Sequence, residues 1–137
     1  MLAIYAMGAN EKLLHEGYKR DQVYQRPIGM SPMPVSHDNF ADHLGDPRYY
    51  RAYLEFFSNK LVTEGVDRTL KDYLYSKSAN FDGRVEAGRS RQPEMFSRFM
   101  SGLVHSIIHV GNGLEFGLPG ILAEGTPFWV QPDKHMK

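Results

Sequence analysis

The chain has no cysteine and a single tryptophan among its 137 residues. Without thiols there are no disulfides, thiolate metal sites, iron–sulfur ligands or cysteine nucleophiles. Net charge is missing too. Sixteen Lys and Arg are matched by 16 Asp and Glu, so no global field draws the chain to nucleic acid or to an anionic membrane. No apolar run approaches the ~18 residues a membrane span needs. The short apolar start Met1–Ala6 lacks the basic residues of a signal peptide, and a cytoplasmic address is expected. Period-two alternation is almost absent, so the chain reads all-α.

What is present is a globular balance, 42% hydrophobic and 23% charged, on a length that suits one domain. Asn10 is placed to cap a helix reaching Arg20, in which Gly17 costs about 1 kcal/mol relative to alanine. The prolines of YQRPIGMSPMPV predict an extended loop over Tyr24–Val35. Ser36 is positioned to cap a short helix, His37–Leu44, stopped by Gly45. Asp46-Pro47 then starts a long helix to about Glu64, closed by Gly65. Its apolar line of Tyr50, Leu54, Phe57 and Leu61, widened by Tyr49, Tyr53 and Phe56, reads as core. A further helix covers Asp67–Tyr75.

Ser76–Gln92 has no periodicity and reads as a linker or insertion. Arg84, Arg89 and Arg91 in it suit a solvated basic loop better than a phosphate site. Pro93-Glu94 opens a helix carried by Met95, Phe99, Leu103 and Ile107 to about Gly111, and Ile121–Glu124 resumes it beyond Pro119-Gly120. The expected architecture is an irregular bundle of four to five helices. It divides into a helical half (1–75), the linker (76–92), a histidine- and glycine-containing segment (93–125) and a divergent tail (126–137).

The chemistry concentrates in HSIIHVGNGLEFGLPG, residues 105–120. A dinucleotide loop is rejected, because no strand precedes the glycines and Pro119-Gly120 interrupts the helix that should hold a pyrophosphate. His105 and His109 share a helix face, as in metalloprotease helices, but Ser106 stands where the catalytic glutamate belongs. Arg98, Ser101, His105, His109 and Asn112 recur at steps of three and four and form one polar stripe if the helix is continuous. Spacing alone ranks structural histidines first, pocket histidines second and metal ligands third.

MFSRFMSGLVHSIIHVGNGLEFGLPGILAEG, with LAIYAMGAN, YQRP and LGDPRYYRAYLEFFSNKLVTEGVDRTLKDYLY upstream, resembles the questin oxidase-like family of fungal oxidoreductases that act on aromatic polyketides. The resemblance implies an internal segment of a larger all-α enzyme, so the chain is expected to be a truncated member. It implies Baeyer–Villiger-like opening of an anthraquinone or its hydroquinone by molecular oxygen, with NADPH as reductant. No flavin motif is present and no metal is expected. By the same resemblance, His105 and His109 are base and proton shuttle and Glu115 and Glu124 orient them; Arg98, which the stripe places to steady an anion, joins Asn112 and Glu124 as the substrate-binding set beside catalytic His105, His109 and Glu115. Two departures stand out: Ser106 replaces the family's usual proline and Asn112 its usual aromatic. The competing expectation is a non-catalytic helical fragment that self-associates or binds a partner through uncovered apolar surface; a metal-dependent hydrolase is an outsider.

Overall fold

The structure, a computed structural model, describes residues 1–25, 27–81, 84–86, 89–91, 93–101 and 104–126. It is all-α apart from one small hairpin. The expected stretches resolve into shorter pieces: α1 (Leu2–Ala6), α2 (Glu11–Gln22), α3 (Tyr50–Thr63), α4 (Val66–Leu70), α5 (Lys77–Phe81), α6 (Met95–Met100), α7 (His105–Glu115) and α8 (Pro119–Gly125). Leu103, the side chains of Arg84, Arg89 and Arg91, and the tail after Thr126 lie outside the described residues.

Local signals explain the long helices. The Asn10 side-chain oxygen accepts from the Leu13 amide at 3.0 Å, satisfying one of the donors left open at the start of α2. Gly17 has a packing reason: a Cβ there would sit 3.1 Å from the Met1 sulfur of α1. Asp46 accepts from the Arg48 amide at 3.0 Å, but Pro47–Tyr49 is a 3₁₀ turn and α3 proper begins at Tyr50. The Ser31 hydroxyl, from the proline-rich loop, accepts from the Ala52 amide at 3.0 Å and so caps α3 from a distance. Gly65 ends the helix at φ +81°, as a left-handed terminator should.

Three expectations need correction. Ser36 caps no α-helix. Its amide donates to the Asn39 side chain at 2.7 Å, and only a 3₁₀ turn, Phe40–His43, follows. The stretch read as linker holds α5 and a two-stranded antiparallel ladder, Arg84–Glu86 against Arg89–Arg91. The helix expected from Pro93 to Gly111 is broken. Ser101 turns its hydroxyl onto the Arg98 carbonyl at 2.8 Å, and Val104 adopts φ +57°, a left-handed conformation rare for a β-branched residue.

The core is aromatic. Phe40, Tyr53, Phe56, Phe57 and Tyr73 meet mostly edge to face at centroid distances of 5.1–5.9 Å, the arrangement that ring quadrupoles favour. Tyr73 is carried by a π-helical turn, Lys71–Tyr75, that continues α4. Two of the buried phenols have hydrogen-bond partners: the Tyr53 hydroxyl donates to the Phe40 carbonyl at 2.5 Å, and the Tyr73 hydroxyl lies 3.0 Å from His37 Nδ1. Lys60 covers the cluster, 5.7 Å from the Phe56 centroid and 5.8 Å from that of Tyr73, while donating to Glu64.

Burial raises the phenol pKa of Tyr53 and Tyr73; at Tyr73 the nearby Lys60 charge partly opposes it. In the unfolded chain these phenols ionise near ~10. Above that pH the unfolded state sheds protons the folded state keeps, so stability is full below ~10 and is lost as pH rises toward the folded values. Urea melts at successive alkaline pH values are expected to show this fall, and Tyr53→Phe to flatten it. A parent and variant with parallel alkaline profiles would contradict the assignment.

Candidate functional site

Three of the four glycines of the histidine segment do three separate things. Gly111 faces open space. At Gly113 a Cβ would lie 2.6 Å from the Leu122 amide nitrogen and 2.8 Å from its Cα, so α7 and α8 cross there backbone to backbone. Gly117, at φ +63°, closes α7: its amide donates to the Leu114 carbonyl at 3.4 Å and the Leu118 amide to the Gly113 carbonyl at 2.9 Å. That bond pair is a Schellman ending. Gly125 repeats the close approach from the other side, its absent Cβ 2.9 Å from Val110 Cγ2 and 3.1 Å from the His109 Cβ. The segment is a tight helical hairpin.

Burial sorts the faces of α7. Ser106, Val110 and Gly113 are buried against α8 and the core, whereas Val104, Ile108 and Glu115 are exposed. Between these faces runs the stripe His105, His109, Asn112 and Phe116. His105 is exposed at the helix start; the other three are half-buried. Phe116 meets Tyr5 of α1 edge to face at 6.1 Å, which closes the lower end of the stripe.

His109 has a defined tautomer. Its Nδ1 lies 2.8 Å from the His105 carbonyl, an oxygen that can only accept. Nδ1 therefore carries the proton, and in the neutral ring the basic lone pair is on Nε2.

The other expected site residues scatter. Arg98 lies in α6 and Ser101 just after it, so the five-residue stripe is not one helix face; Arg98 Nε donates to the Pro93 carbonyl at 2.8 Å, and its charge is felt at the Tyr53 phenol. Glu115 lies within α7, beyond His109 by ~9 Å of helix rise, and the glycine turn comes only after it. Glu124 is on α8, where it lines a cleft of about 580 Å³ together with Ile28, Met30, Arg48, Tyr50 and Arg51.

Sequence reasoning missed this cleft. Its walls come from the proline-rich loop, the start of α3 and α8, separated by up to about a hundred residues of chain, and no spacing rule joins them. Burial, and secondarily the Glu124 charge, raises the Tyr50 phenol pKa. Met100 is exposed, and Phe57 is fully buried in the core.

Among the described residues, no three His, Asp or Glu side chains converge as a metal centre, and no helix is long and apolar enough to cross a membrane. The glycine array of α7 offers no cradle for the pyrophosphate of a nicotinamide dinucleotide: Gly111 and Gly113 sit inside α7, and Leu122 fills the space at Gly113.

A family model described as questin oxidase-like matches residues 1–126. A Baeyer–Villiger oxidase of Paecilomyces divaricatus is 28% identical over 134 residues, covering 90% of this chain and 26% of its own length. A questin oxidase of Aspergillus terreus gives the same identity and coverage. A Baeyer–Villiger monooxygenase of Aspergillus aculeatus is 27% identical, over 90% of this chain and 25% of its own. The chain thus spans about a quarter of the length of these relatives. No solved structure matches it.

Proposed function

The chain belongs to the questin oxidase-like family, and from that premise we propose that it serves oxidative, Baeyer–Villiger-like ring opening of an anthraquinone or its hydroquinone. Since it spans a quarter of its relatives, the activity, the polyketide substrate and the use of molecular oxygen are all part of the proposal. The observation that carries it is the fixed tautomer of His109.

The reaction needs a phenolic proton removed, because the resulting electron-rich anion is the form that oxygen attacks. His109 Nε2 supplies the base. The Nδ1 bond to the His105 carbonyl holds the ring in place and is kept in both protonation states, since imidazolium retains Nδ1–H. His105, exposed at the first position of α7, passes the proton to solvent. Half-buried Asn112 offers an amide to a substrate oxygen, in the position where the family carries an aromatic ring. Arg98, Glu115 and Glu124 serve as outer groups: Arg98 from α6, Glu115 from the end of α7, Glu124 from the cleft. NADPH is the reductant the family implies. The glycine array of α7 offers no cradle for its pyrophosphate.

The test incubates the chain with a hydroxyanthraquinone, oxygen and NADPH and reads the ring-opened carboxylic acid by mass spectrometry. The parent is expected to form it, and His109→Ala to lower the rate by about a hundredfold, the lower range for loss of a general base. No product from the parent, or unchanged rates in both His105→Ala and His109→Ala, overturns the reading. A second reading, a non-catalytic partner-binding module, is favoured by one observation: α1 and α2 bury none of their residues and expose Tyr5, Leu13, Tyr18 and Val23.

A further inference from the structure

The 580 Å³ cleft lies within the usual size of small-molecule sites, ~300–1,000 Å³, and its two sides differ in hydrogen-bonding character, ion-paired guanidinium donors on one and a carboxylate acceptor on the other. On the α3 side, Arg48 gives Nε and Nη2 to Asp46, at 2.6–3.1 Å. Arg51 gives Nε to Glu55 at 2.8 Å and Nη1 to the Met30 sulfur at 3.0 Å. Arg48 Nη1 and Arg51 Nη2 take no part in those bonds. The partners hold both forks in fixed orientation while leaving donors to spare, and the Arg51 side chain is 42% exposed. On the α8 side stands the Glu124 carboxylate, an acceptor only. Ile28 and Met30 supply apolar wall between them.

We propose that this cleft selects a fused-ring polyphenol in its monoanionic form. The ionised ring oxygen faces Arg48 and Arg51, a second, still protonated hydroxyl donates to Glu124, and the rings lie against Ile28, Met30 and the Tyr50 ring. Orientation follows from charge: reversing the ligand would set its phenolate against Glu124. The cleft therefore discriminates between an anion that also bears a hydroxyl and one that does not, because a hydroxyl-less anion leaves the Glu124 carboxylate without a donor. This deepens the oxidase reading and rests on it for the ligand class. Glu124 and its neighbour Gly125 connect the two places, since Gly125 packs onto α7 at His109 and Val110.

Alizarin, a dihydroxyanthraquinone that is anionic near neutral pH, is the probe; an anthraquinone sulfonate supplies the charge without the hydroxyl. Alizarin binding is read from its visible phenolate band on titration and sulfonate binding by calorimetry, with circular dichroism checking that the variants fold. Arg51→Gln is expected to weaken both ligands about tenfold. Glu124→Ala is expected to weaken alizarin about tenfold and to leave the sulfonate unchanged or slightly tighter. The inference is overturned if neither variant changes alizarin affinity, as for unspecific adsorption, or if Glu124→Ala weakens both ligands equally. The measurement needs no turnover. Selective binding without product would sink the oxidase reading and leave the cleft standing; product formation with cleft variants that bind like the parent would do the reverse.

Discussion

Gly113→Ala is expected to destabilise the chain by about 3 kcal/mol, the upper range for overpacking, and to lower its melting temperature by roughly 10 °C. Helix propensity alone predicts the opposite sign, a gain of ~1 kcal/mol for alanine in place of glycine inside a helix. The contact decides. The new methyl would stand 2.6 Å from the Leu122 nitrogen and 2.8 Å from its Cα, both backbone atoms that no rotamer change can move. The two helices must part, which undoes the fit of Gly125 on Val110 as well. Gly111→Ala is the internal control, since it lies on the same helix with nothing within 4 Å of its Cβ position and should raise stability by a few tenths to ~1 kcal/mol. Thermal melts of the three proteins settle it. If Gly113→Ala melts with Gly111→Ala, the close crossing of α7 and α8 is wrong.

Phe57→Ala is expected to cost about 3–5 kcal/mol. The ring is fully buried and meets Phe56, Tyr73 and Phe40 nearly perpendicularly, at 5.3, 5.6 and 5.9 Å. Removing it takes the transfer free energy of the ring and leaves a void that neighbouring rings cannot close without surrendering their own edge contacts. With net stabilities of small domains at ~5–15 kcal/mol, such a loss removes a large share of the folding free energy. Phe57→Leu should retain more than half of the difference, since it keeps most of the apolar volume. Urea midpoints measure both; a loss under ~1 kcal/mol for the alanine variant would show that Phe57 is not a core residue.

How much of this was legible beforehand depended on range. The Asn10 cap, the Asp46 start and the Gly65 stop are decided within four residues, and the sequence displays them directly. The aromatic line of α3 was legible because burial of one helix face leaves a 3.6-residue period. The break between α6 and α7 was not. The apolar period runs on through Phe99 and Ile107, while the break comes from Ser101 bonding the Arg98 carbonyl and from Val104 turning left-handed. The glycines were visible, but not what stood beside them: only the fold places Leu122 against Gly113. Similarly, HSIIH announced two imidazoles on one face without saying that the His105 carbonyl would fix the tautomer of the second. The π-helical turn under Tyr73 left no mark in the pattern either, since one extra residue per turn shifts the helical phase only locally.

That hairpin of α7 and α8 also has a place in time. Its two helices are joined through Phe116–Leu118 alone, whereas the aromatic core must bring Phe40 to Tyr73. The entropy lost in closing a loop grows with its length, and local contacts form fastest. The segment bearing His109 is therefore the inexpensive, early part of the folding path, able to close before the ring cluster condenses. The cleft, which needs the distant proline-rich loop against α3 and α8, comes late.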